Sequence, residues 1–245
     1  KTPELIVALD VDTLNKAKAL VDKLYPAVKF FKVGSQLFTA YGPEAVKMVA
    51  EGGGKVFLDL KFYDIPNTVF ASVCSSTALD VQPAPTEKHL EIFESGSVFM
   101  ITVHTHGGLE MAKAAARGAK KTAEELNIKK PYVVGVTVLT SDAGGDVADL
   151  VLERAKIAQE AGLDGVVCSV HEATAVRERF GEDFIIVTPG IRPKGAEAND
   201  QKRVATPEDA VKAGANFLVV GRPVIEVTDP IRVAKEILQQ MRVTD

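Results

Sequence analysis

Lys55-Val56-Phe57-Leu58-Asp59-Leu60-Lys61-Phe62-Tyr63-Asp64, running on into Ile65-Pro66-Asn67-Thr68, is the stretch on which the fold turns. Its apolar start reads as a buried strand, and a helix is expected to begin near Asn67. Side chains alternate between the faces of a strand, so Asp59 and Lys61 are expected on one face and Leu58 and Leu60 on the other. Two opposite charges then leave a mostly buried element in the same direction. A lone ion pair often fails to offset its own desolvation, so stability is a poor reason to place it there, and chemistry is a better one. The plainer alternative is a strand-end salt bridge worth about 0 to 1 kcal/mol.

Working outward, seven more short runs read as strands: Leu5 to Leu9, Val28 to Val33, Val98 to Val103, Tyr132 to Val138, Gly165 to Cys168, Phe184 to Val187 and Phe217 to Val220. Amphipathic segments lie between them, among them Leu14 to Leu24, Leu109 to Leu126, Val147 to Ala161 and Ile231 to Met241. Repeated βα units predict an α/β fold, a closed (β/α)8 TIM barrel, with residues 1–245 as one domain. A doubly wound open sheet would be expected to carry a Gly-rich turn after an early strand, and Asp10-Val11-Asp12 is not one. One segment breaks the rhythm. Residues 81–95, with Pro83 and Pro85, make a longer connection than a helix-to-strand link needs, either a surface excursion or a short helix over Glu87 to Phe93.

A chain of 245 residues with 46% apolar content can bury a full core. Its formal net charge of -4 argues against a nucleic-acid or anionic-membrane surface and leaves a small molecule as the expected partner. Cys74 and Cys168 lack the close spacing of a redox motif or a zinc site and read as buried thiols of a reducing cytoplasm. No apolar run approaches the about 18 residues that span a bilayer, and Lys1-Thr2-Pro3-Glu4 does not open a secretory signal, so a cytoplasmic location is expected.

In a barrel of this kind the chemistry belongs at the C-terminal ends of the strands. The polar residues there are Asp10, Lys32, Asp59 with Lys61, His104, Thr140 with Ser141, Ser169, Thr188 and Arg222. Phosphate sites in such barrels use the loops after the last two strands. Here those loops hold Pro189-Gly190-Ile191-Arg192 and Gly221-Arg222-Pro223, glycines for close backbone approach and guanidinium groups for a two-pronged grip. The polar stretch Lys194 to Asp200 is expected to close as a lid. His104 and His106 can reach one metal ion, but a site would need further ligands, so His104 is expected to make a structural hydrogen bond at the mouth.

Taken in order, Val7-Ala8-Leu9-Asp10, Lys32-Val33-Gly34, Leu58 to Lys61 with Asp64 to Thr68, Gly135 to Ser141, Thr188 to Arg192, Asp200 to Arg203 and Val220 to Pro223 span nearly the whole chain. The set resembles the orotidine 5′-phosphate decarboxylase family in its bacterial form. The resemblance implies a cofactor-independent, metal-free homodimer in which Lys32, Asp59, Lys61 and Asp64 form an alternating charge network. It implies that Lys61 donates the proton, and that Asp64 and Thr68 reach into the neighbouring subunit's site. Asp10 and Thr68 are then ribose ligands, Ser141 reads the pyrimidine, and Arg192, Gln201, Gly221 and Arg222 grip the phosphate, with Pro189 among the substrate-binding residues. Two features depart from the family: the length of residues 81–95, and His106 where a small residue is expected.

The implied reaction takes carbon dioxide from C6 of orotidine 5′-phosphate and leaves uridine 5′-phosphate. One rival is a metal-dependent sugar-phosphate lyase of the same superfamily, whose relatives commonly carry a Glu where this chain has Lys32. The other, a noncatalytic phosphosugar-binding barrel, would keep Arg192 and Arg222 but have no use for four alternating charges.

Overall fold

The computed structural model describes residues 2–80, 96–139, 147–193 and 205–242. Eight strands pair in parallel and in chain order, the last returning to the first, to close a barrel. They are β1 (Glu4–Ala8), β2 (Phe30–Gly34), β3 (Lys55–Phe62), β4 (Val98–His104), β5 (Tyr132–Val136), β6 (Gly165–Val167), β7 (Ile185–Thr188) and β8 (Phe217–Val220). The α/β barrel expected from the sequence is therefore the fold.

Helices return the chain from each strand to the next. These are α1 (Leu14–Leu24), α2 (Ser35–Tyr41) and α3 (Pro43–Glu51) as a pair after β2, α4 (Pro66–Thr77), α5 (Gly108–Leu126), α6 (Val147–Glu160), α7 (Val170–Phe180) and α8 (Pro207–Lys212). A short α9 (Arg222–Ile225) precedes α10 (Pro230–Gln240). Their starts are set locally. Thr13 Oγ1 accepts from Lys16 N ahead of α1, Pro66 opens α4, and Asp229 caps α10 in front of Pro230.

Strand alternation divides the core in two. Leu5, Val7, Phe31, Val33, Val56, Leu58, Ile101 and Val220 point outward under the helices, while Ile6, Ala8, Phe57, Met100, Val134, Val187 and Val219 fill the barrel. At the N-terminal end of the strands, Phe30, Phe99 and Phe217 pack ring on ring with centroids 4.6, 5.9 and 5.7 Å apart and plug the interior. Following the same inward rows toward the C-terminal ends, Ile6 and Ala8 give way to Asp10, Phe30 to Lys32, Phe57 to Asp59 and Met100 to Thr102. The barrel is apolar at one end and charged at the other.

Candidate active site

Simple alternation does not carry Asp59 and Lys61 to the same place. Leu58 stands opposite Ile101 and Phe62 opposite Val103, so Asp59, Leu60 and Lys61 together face Thr102 alone. This bulge breaks the strand period, and Lys61 takes a left-handed backbone with φ of 50°. The two charges meet nonetheless, Lys61 Nζ lying 2.9 Å from Asp59 Oδ2. The expected pairing is present, within a bulge rather than a regular strand.

The network extends to the two preceding strands. Lys32 Nζ lies 2.9 Å from Asp10 Oδ1 and 3.6 Å from Asp59 Oδ2, so Asp59 is shared by two ammonium groups. A Cβ at Gly34 would come within 2.9 Å of Lys32 Nζ and 3.4 Å of Asp10 Oδ1; glycine there gives the pair its room. Burial pushes the Asp59 carboxyl up, but Lys32 and Lys61 beside it, with hydrogen bonds from Lys61 and Thr102, outweigh that and hold it below the usual carboxylate range. Asp59 is therefore an anion at neutral pH. The Lys32 side chain is 12% exposed and that of Lys61 38%, so the second ammonium faces the opening.

These charges form one side of a cavity of about 160 Å³, whose other side is apolar: Val136, Val167, Cys168, Pro189 and Val219. A larger hollow of about 670 Å³ between α4 and α5 lies outside the barrel and has lysines paired along their own helix, Lys121 with Glu125 at 2.7 Å. Size does not select the site; converging charges of both signs against an apolar wall do. A further lysine–aspartate pair, Lys130 with Asp164 at 2.6 Å, sits ahead of β5 and β6 at the opposite end and belongs to the scaffold.

The other expected residues divide. Arg192 is 6% exposed, and its backbone N–H donates to Ala205 O at 2.9 Å where Ile191 bridges to Ala205. Arg222 opens α9, and a Cβ on Gly221 before it would lie 3.7 Å from Asp10 Oδ2, so the end of β8 abuts the charge network. Asp64 and Thr68 are exposed, and among the described residues Asp64 has no ion-pair partner; its Oδ1 accepts from Ile65 N at 2.6 Å. Ser141, Thr140, Gln201, the stretch Lys194 to Asp200 and residues 81–95 lie outside the described residues.

Three polar strand ends serve the fold. His104 Nδ1 accepts from His106 N at 3.3 Å, the structural bond expected of it; Ser169 caps α7; and Thr188 faces outward, its hydroxyl donating to Phe217 O at 3.4 Å. Among the described residues no three His, Cys, Asp or Glu side chains are grouped to hold a metal ion, and no helix is long and apolar enough to cross a membrane. Thr102 was not among the residues singled out from the sequence. It is fully buried, accepts from Lys61 N at 2.8 Å and donates to Asp59 Oδ1 at 3.0 Å. Its one legible signal is that it shares the inward row of Met100 and His104.

Fold and site together define a (β/α)8 barrel with a lysine–aspartate charge network at its C-terminal mouth, where Arg192 follows β7 and Arg222 opens α9 after β8. Within that class, the chain belongs to the orotidine 5′-phosphate decarboxylase / HUMPS family, whose model matches residues 3–237. It is 43% identical over 248 residues to the orotidine 5′-phosphate decarboxylase of Moorella thermoacetica, covering 97% of this chain and 92% of that one. It is also 43% identical to the enzyme of that name from Legionella pneumophila strain Paris, covering 98% and 100%. A crystal structure of orotidine 5′-phosphate decarboxylase from Lactobacillus acidophilus superposes with a TM-score of 0.80 at 33% identity, covering 98% of this chain and all of that one.

Proposed function

We propose that the chain decarboxylates orotidine 5′-phosphate to uridine 5′-phosphate without a cofactor, a step of pyrimidine nucleotide synthesis. The observation that carries the reading is the shared Asp59 carboxylate between Lys32 and Lys61 at the edge of a cavity with an apolar wall, in a chain 43% identical to enzymes of that name. Breaking the bond between C6 and the carboxylate leaves an electron pair in the plane of the pyrimidine ring, where the π system cannot take it up. Fixed charge must stabilise it instead. The Lys61 ammonium does so and then gives its proton to C6. Lys61, left neutral and 38% exposed, regains a proton from solvent.

Asp59 holds the ammonium in place from 2.9 Å, and Lys32 keeps Asp59 ionised while it is itself held by Asp10. The apolar wall keeps the local dielectric low, which makes each of these charges count for more than it would in water. Arg192, Gly221 and the Arg222 guanidinium at the ends of β7 and β8 are assigned to the phosphate, together with Gln201; Ser141 is assigned to the base and Asp10 to the ribose, with Pro189 lining the cavity beside them. Binding energy from the phosphate, remote from C6, is then realised in the transition state.

A second copy of the chain completes the site in this reading. Tyr63 is 60% and Ile65 66% exposed on either side of Asp64, an apolar flank that a neighbouring subunit would cover as it received Asp64 and Thr68. The expected test is Lys61→Ala. Turnover, followed as loss of orotidine 5′-phosphate absorbance, should nearly vanish while uridine 5′-phosphate still binds measurably; equal, modest losses of both would make Lys61 a structural residue.

A further inference from the structure

We infer that Thr102 is the positioning residue that fixes the geometry between Asp59 and Lys61, an inference that rests on the decarboxylase reading. The Lys61 backbone N–H can only donate, so Thr102 Oγ1 must accept it, at 2.8 Å. The single hydroxyl proton of Thr102 is then left for Asp59 Oδ1, at 3.0 Å. The direction of the chain, amide to hydroxyl to carboxylate, is forced by donor and acceptor count. It occupies Oδ1 and leaves Oδ2 for both ammonium groups, Lys61 at 2.9 Å and Lys32 at 3.6 Å.

Thr102 acts on both partners from behind. It lies on β4, touches neither lysine ammonium in these bonds, and is fully buried, so it is placed to orient rather than to react. Lys61 sits in a left-handed backbone that an L-residue with a long side chain adopts only when its surroundings insist. The bond to Thr102 is one such constraint, and it comes from the one residue of β4 that faces the three-residue bulge. A hydroxyl at this position thus ties the backbone carrying the proton donor to the carboxylate that aims it.

The test is kinetic. Thr102→Val keeps the shape of the side chain and removes the oxygen, and it is expected to lower kcat about 10- to 100-fold, the range for hydrogen bonds to charged groups, with KM little changed. The acid limb of the kcat/KM profile should move to higher pH, because Asp59 loses a donor that favours its ionised form. Thr102→Ser should restore both. If the valine variant does not fold, Thr102→Cys, whose thiol donates and accepts weakly, is expected to be impaired relative to both Ser and wild type in the same two measurements.

An unmoved acid limb, a loss confined to KM, or a Ser variant as impaired as the Val or Cys variant would overturn the assignment. Failure of the decarboxylase reading is separable from this. In that case the wild-type protein itself would not turn over orotidine 5′-phosphate, whatever stands at position 102.

Discussion

Replacing Asp59 by Asn removes the charge on which Lys32 and Lys61 converge while keeping the size of the side chain. At an effective dielectric near 20, unit charges 2.9 and 3.6 Å apart attract by about 5 to 6 kcal/mol before desolvation is counted. Little of that is lost as stability. Lys32 keeps Asp10 at 2.9 Å, and the Lys61 side chain is 38% exposed, so water takes over part of its solvation. The expected destabilisation in urea is therefore about 1 to 3 kcal/mol, between the exposed-pair and buried-pair limits. Turnover should fall further, about 10²- to 10³-fold, the range for losing one preorganised electrostatic group. The pH dependence follows from the lowered folded-state value of Asp59: its contribution is complete above the unfolded carboxyl value of about 3.9 and is lost as pH falls through the folded one. The stability gap between wild type and Asp59→Asn should therefore be flat near neutrality and close in acid. A variant that loses about 3 to 5 kcal/mol yet keeps activity within about threefold of wild type would make the network a scaffold element and refute the reasoning.

Arg222→Ala should weaken transition-state stabilisation for orotidine 5′-phosphate by about 1.5 to 3 kcal/mol and leave decarboxylation of the nucleoside orotidine unchanged; equal losses for both would remove Arg222 from the phosphate. Mixing inactive Lys61→Ala and Asp64→Ala proteins under subunit exchange should restore part of the activity, since one site of a mixed dimer carries neither change. No recovery, with exchange shown independently, would return Asp64 to its own subunit's site. Exhaustive chelation should leave turnover intact, because the Lys32 ammonium 3.6 Å from Asp59 repels a divalent cation; loss restored by magnesium would favour a metal-dependent lyase.

Elements built from local periodicity were legible in the sequence. The helix expected over Leu14 to Leu24 and the strand expected over Phe217 to Val220 have those bounds in the structure. The second strand starts at Phe30 rather than Val28 because Val28 N is bonded to Leu24 O and still belongs to the end of the preceding helix. Asp59 and Lys61 were legible as a pair, but the bulge that joins them was not. The Lys61 amide within it bonds to a side chain 41 residues away, and no rule of alternation reaches that far. Thr102 escaped for the complementary reason. Between Ile101 and Val103 a threonine reads as an ordinary β-branched strand residue, and its meaning appears only once the barrel closes and turns it inward.

Phe30, Phe99 and Phe217 fill the N-terminal end of the barrel, so among the described residues its open side is the charged mouth. On the proposed reaction two products of opposite character must leave by it: a small neutral gas that nothing retains, and a dianion still clasped by arginines. The gas can depart while the nucleotide stays, so release is naturally ordered and the slow exit is the one under the control of the phosphate grip. Tightening that grip to gain affinity would then lengthen the time each finished molecule keeps the doorway occupied.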